Sequence, residues 1–104
     1  MFLILQGDMM RLSPYLKHKL KEASREAFAN AQLILFGSRI DDTKQGGDFD
    51  LAVVGDMDKE HFKKAKVKFF KYLMLQDLDL PIDLVLYNRA NTLLKQEIDK
   101  GEVL

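Results

Sequence analysis

Residues 33–54, LILFGSRIDDTKQGGDFDLAVV, constrain the fold more than any other part of the chain. They hold two short apolar runs with a polar, glycine-containing loop between them. Residues 33–36 form a continuous hydrophobic segment closed by Gly37, the pattern of a strand buried on both faces. Residues 49–54 form a second segment, rich in side chains that suit a pleated surface. The connection is too short for a helical crossover, so the two strands are expected to pair antiparallel. Side chains alternate along a strand, so Asp48 and Asp50 point the same way if the second strand begins there. Two adjacent carboxylates repel each other unless a cation sits between them. Mg²⁺ is suited to that place, because it takes oxygen ligands, commonly one or two carboxylates together with substrate phosphates.

Gly37 and Ser38 offer those phosphates a seat. A glycine lets the backbone come close to a ligand, and the serine adds a hydroxyl and an N–H. A helical turn starting at Ser38 would face free N–H groups and a positive dipole end toward an anion. The competing reading is an ordinary hairpin whose loop is rich in Gly and Asp, both common turn residues. Residues 80–87, LPIDLVLY, read as a third strand, with Pro81 at its start where it harms no ladder. Asp83 is an acid inside that apolar run, and such charges are seldom buried without a partner. Beside residues 49–54 it completes a cluster of three carboxylates; on an edge strand it simply faces water.

The remaining segments frame this centre. Ser13-Pro14 opens a helix, with serine as N-cap and proline in the first turn. Leu16, Leu20, Ala23, Ala27 and Phe28 form its apolar stripe. His18 on that helix reads as solvated or partly packed, with no acid partner recognised beside it. Asp58 caps a long helix running to about Gln76. Phe62, Ala65, Phe69, Phe70, Leu73 and Met74 are expected to cover the sheet from it. Met57 and Met74 read as core filling, and His61 as a surface residue. Lys59, Lys63, Lys64, Lys66, Lys68 and Lys71 give the same helix a basic outer face: a solvated face, or a docking surface for an acidic protein or an RNA backbone. Asn91 or Thr92 starts a short last helix, with Gly101 just beyond it. The order helix–strand–strand–helix–strand–helix argues for an α/β fold, a small mixed β-sheet covered by helices.

The 104 residues suit a single domain. Sixteen basic and sixteen acidic residues cancel, so no global field points to nucleic acid or an anionic membrane. The absence of cysteine excludes disulfides, thiolate zinc sites and cysteine nucleophiles. Nothing is long enough to span a bilayer. Residues 1–7, MFLILQG, lack the basic region of a signal peptide. They read as an edge or swapped strand or as a poorly ordered segment, and residues 1–9 as an extension ahead of an alternative start at Met10.

Gly37-Ser38, nine residues of loop, Asp48-Phe49-Asp50 and a later strand with Asp83 together resemble the minimal nucleotidyltransferase (MNT) family of the DNA polymerase β-type nucleotidyltransferase superfamily. The similarity runs through LFGSR (35–39), DLAVV (50–54), IDLVLY (82–87) and the closing LKQEI (94–98) with Gly101, most of the chain from about Met10 onward. The resemblance implies a nucleotidyltransferase-like fold in which Asp48, Asp50 and Asp83 hold two Mg²⁺ ions. Gly37 and Ser38, with Arg39 near them, would grip the triphosphate of ATP. It implies transfer of AMP to a hydroxyl on a partner protein, the HEPN-type toxin of a toxin–antitoxin system, in the cytoplasm, with neither membrane nor nucleic acid as partner; homo-oligomer formation is left open. The alternative is a non-catalytic antitoxin that neutralises a toxin by contact, but a pure binder has no use for three mutually repelling acids. A nucleic-acid-binding domain is supported only by the lysine-rich helix. One departure stands out. Ile40, Asp41 and Asp42 follow the Gly-Ser-Arg, and two acids there oppose a triphosphate unless Lys44 or Arg39 offsets them.

Overall fold

A computed structural model describes residues 13–37 and 49–104. The segments read above as an N-terminal extension and as the loop between the first two strands lie outside these residues. Helix α1 spans Pro14–Phe28, and the Ser13 hydroxyl accepts the Leu16 N–H at 3.1 Å, as the Ser-Pro start requires. Strands β1 (Gln32–Phe36) and β2 (Phe49–Val54) follow. Helix α2, Lys59–Leu75, is capped by Asp58, whose carboxylate accepts the His61 N–H at 2.7 Å. Strand β3 (Ile82–Leu86) runs into a single 3₁₀ turn, Tyr87–Arg89. Asn91 then caps α3, Thr92–Asp99. A two-residue strand β4, Glu102–Val103, which the sequence reading omitted, closes the chain's sheet.

The sheet order is β3-β2-β1-β4. The β1–β2 and β1–β4 pairs are antiparallel and β2–β3 is parallel, with α2 as the crossover, so the sheet is mixed as expected. Alternation sorts its side chains onto two faces. Leu33, Leu35, Phe49, Leu51, Val53, Leu84 and Leu86 share one core with Leu20, Ala23 and Phe28 of α1 and Ala65, Phe69 and Leu73 of α2. Phe36 and Ala52 share a smaller core with Ile98 of α3, edged by Ile34, Val85 and Leu94. Among the described residues, two long helices thus cover one face and one short helix covers the other.

Three expectations need correction. Met74 does not cover the sheet; it is 71% exposed. It lies five residues beyond the buried Phe69, roughly 140° round the helix, and so faces away from the core. His18 does have an acid partner, since its Nε2 lies 3.1 Å from Glu22 Oε2 one turn on. Gly101 follows α3 as anticipated, but its φ is not positive; its lack of a side chain answers to crowding. A Cβ there would strike the Leu35 carbonyl oxygen and come within 2.9 Å of Phe36 Cβ.

The two long helices are tied together by polar contacts as well as by their core. The Tyr72 hydroxyl of α2 donates to Glu22 Oε1 of α1 at 3.0 Å, and Lys19 Nζ lies 3.5 Å from the same oxygen. The Tyr72 hydrogen bond holds the Glu22 carboxyl below its ordinary value; Lys19 and His18 add to this, and burial opposes it. The same hydrogen bond, with burial, pushes the Tyr72 phenol up. Across the sheet, the Tyr87 hydroxyl donates to Asp99 at 3.0 Å and ties the exit of β3 to the end of α3.

Candidate functional site

The two carboxylates that the structure describes come together through strand register. Asp50, the second residue of β2, sits opposite Phe36 on one side and opposite Asp83 on the other. The parallel pairing puts Asp50 and Asp83 directly across from each other on the same face, the one shared with Ala52 and Val85 and covered, among the described residues, by α3. Asp50 is half-buried and Asp83 is exposed. Asp83 lies on an edge strand, as one reading had it, and also beside Asp50, as the other did. Both are correct. The pairing is set from its first residue, where the Phe49 N–H donates to the Pro81 carbonyl at 2.7 Å. Proline there offers an acceptor and withholds only a donor that the strand does not need.

Gly37 terminates β1 at this end of the sheet. Its φ is +74°, a conformation that side-chain-bearing residues rarely take. It also lies against the carboxylate, since a Cβ built on Gly37 would stand 2.5 Å from Asp50 Oδ2 and 3.2 Å from its Cγ. Glycine, β2 acid and β3 acid therefore occupy three successive strands at one corner of the lightly covered face. Ser38, Arg39 and Asp48, together with Asp41, Asp42 and Lys44, lie outside the described residues.

Two carboxylates side by side on neighbouring strands supply hard oxygen donors on one open face. This fits a Mg²⁺ ion that completes its shell with water and substrate phosphates. Among the described residues, no group of three or more acids, histidines or cysteines gathers into a metal-binding cluster. The third member expected from the sequence is Asp48, outside them. The lysine row of α2 does not contribute here, because α2 packs against the opposite face of the sheet. His18 and His61 are likewise on α1 and α2, away from the carboxylates. The sequence reading missed the closeness of Gly37 to Asp50. The antiparallel register that produces it follows from the pairing of β1 with β2, but the sequence left the number of loop residues in the ladder open.

Among the described residues, a mixed four-stranded sheet with two helices on one face, one on the other, and acids paired across the parallel β2 and edge β3 strands defines a small α/β domain. The family model described as Polymerase beta, Nucleotidyltransferase matches residues 18–104, and the chain belongs to that family. No curated protein matches significantly. Three solved structures are similar. One is a tri-AMPylated Shewanella oneidensis HEPN toxin in complex with MNT antitoxin, 22% identical, with 84% of this chain and 66% of that chain covered at a TM-score of 0.56. A toxin–antitoxin structure with AMP-PNP is 24% identical over 84% and 70%, at 0.61. A substituted MntA–HpeT toxin–antitoxin structure is 26% identical over 90% and 72%, at 0.61. The chain thus spans about two thirds of these relatives' length, and they share its fold. Among the described residues, no helix is long and apolar enough to cross a membrane.

Proposed function

We propose that this chain is a Mg²⁺-dependent nucleotidyltransferase that moves AMP from ATP to a hydroxyl on a HEPN-type toxin, and so acts as the antitoxin of a cytoplasmic pair. The observation that carries the reading is the register pairing of Asp50 with Asp83 beside Gly37 in a chain of this family. The tri-AMPylated toxin found with a similar antitoxin supports the acceptor, and AMP-PNP in another supports an adenine nucleotide.

In this reading Asp48, Asp50 and Asp83 hold the metal, and Gly37 and Ser38, with Arg39, hold the triphosphate. Mg²⁺ bound there neutralises the phosphates and stabilises charge on the entering and leaving oxygens. The acceptor's hydroxyl oxygen forms a bond to the α-phosphorus, the bond from that phosphorus to the bridging oxygen breaks, and pyrophosphate leaves. Asp83, exposed on the open face, takes up the hydroxyl proton directly or through water. No nucleophile on the protein is required. Any hydroxyl that reaches the open face in line can serve, because positioning supplies most of the rate.

The test is pyrophosphate release. The chain, ATP, Mg²⁺ and a HEPN-type partner should release pyrophosphate, and Asp50→Asn should slow the release by at least about 10²-fold, since metal-ion charge stabilisation is worth several kcal/mol. Release that survives Asp50→Asn undiminished would show that another site does the chemistry.

A further inference from the structure

We infer that Gly37 is a positioning residue for the metal-binding carboxylate of Asp50, in addition to any contact its backbone makes with phosphate. This inference rests on the metal-site reading above. Three observations carry it. Asp50 lies directly across from Phe36, the residue before Gly37, so the antiparallel ladder fixes the spacing of the two backbones. The Asp50 carboxylate lies over Gly37, and the Cβ position there is 2.5 Å from Oδ2, 3.2 Å from Cγ and 3.3 Å from the Asp50 Cβ. The first contact forces something to move, and the other two are tighter than ordinary packing. Gly37 also holds φ at +74°, so its backbone cannot easily turn to carry a side chain elsewhere.

The alternatives for a chain with a side chain at position 37 are few. The Asp50 Cα and Cβ are anchored in the middle of the sheet, with β1 on one side and β3 on the other. Rotation about χ1 and χ2 is then the remaining freedom, and relieving the contacts to Cγ and Oδ2 together moves the carboxylate from its present place on the strand paired with Asp83. A side chain at 37 therefore acts on the metal through Asp50, before any nucleotide arrives. A glycine that served phosphate alone would leave metal binding untouched in the absence of nucleotide. The two roles separate in that one condition.

The experiment is Mn²⁺ binding to the full chain without nucleotide, followed by electron paramagnetic resonance, for the parent, Gly37→Ala, Ser38→Ala and Asp50→Asn. Circular dichroism confirms the fold of each. Gly37→Ala should weaken Mn²⁺ by about 10–100-fold, the loss typical of groups that orient a ligand, while Ser38→Ala should leave it within twofold of the parent. If Gly37→Ala does not fold, Gly37→Asn answers the same question, because asparagine tolerates positive φ and still brings a Cβ to the carboxylate. Parent-like Mn²⁺ binding by a folded Gly37 variant, with Asp50→Asn impaired, would overturn the positioning role alone. Parent-like binding by Asp50→Asn itself would overturn the metal-site reading and this inference with it.

Discussion

At the scale of single residues, the site is a problem of like charges. Asp50 and Asp83 face each other across a parallel ladder, and like charges placed directly opposite destabilise a sheet. A cation bound between them would relieve that repulsion. Removing one charge should therefore stabilise the metal-free chain. Asp83→Asn is expected to gain on the order of 0.2–1 kcal/mol, a rise of a few degrees in Tm for a domain of this size. Adding Mg²⁺ should stabilise the parent and do much less for the variant. Thermal melts with and without Mg²⁺ check both halves; a variant less stable than the parent without metal would show that the pair is not repulsive. The acids themselves were legible in the sequence, because a charge within an apolar run stands out. Their partnership was not. Whether Asp83 meets Asp50 or only water depends on β3 pairing with β2 in parallel, a long-range choice that local pattern does not make.

At the scale of elements, local chemistry settled most of the boundaries. The capping side chains Ser13, Asp58 and Asn91 each accept an N–H three residues on, so all three helix starts could be read from the residue types. Strand β4 could not, since two residues have no period to detect. Met74 was misplaced because an apolar residue on a helix flank looks like one on its buried face until the packing is known. Two elements yield predictions. Ser24 is buried in α1, and its hydroxyl has no hydrogen-bond partner among the described residues. Ser24→Ala removes that unsatisfied group and improves helix propensity, and should raise stability by about 1 kcal/mol in urea unfolding; a loss would mean that the hydroxyl is bonded. The second concerns the seam between α1 and α2. Glu22 titrates below its ordinary value of 4.5 because it accepts the Tyr72 hydrogen bond, with Lys19 and His18 beside it. A carboxyl depressed in the folded state contributes stability that is full above its unfolded pKa and is lost as pH falls through the folded one. The parent should therefore exceed Glu22→Gln in Tm at neutral pH, and the gap should close on acidification below about 4.5. A gap that is constant with pH would assign the contribution to packing.

At the scale of the whole molecule, the sheet separates two kinds of surface. Among the described residues, Asp50 and Asp83 lie on the face that α3 covers, and the lysines of α2 lie on the other side. In the proposed transfer the acceptor approaches from the α3 side, while the basic helix is left to solvent or to a different contact. That separation is what distinguishes a transferase from a protein that neutralises its partner by contact: the first depends on the acid face and the second does not. Intact mass spectrometry of a candidate HEPN-type partner, after incubation with this chain, ATP and Mg²⁺, decides between them most directly. The partner should gain the mass of one or more AMP units, and the gain should vanish when Asp50→Asn replaces the parent. Neutralisation of the partner with no gain in mass, undiminished by that substitution, would contradict transfer and establish a contact antitoxin.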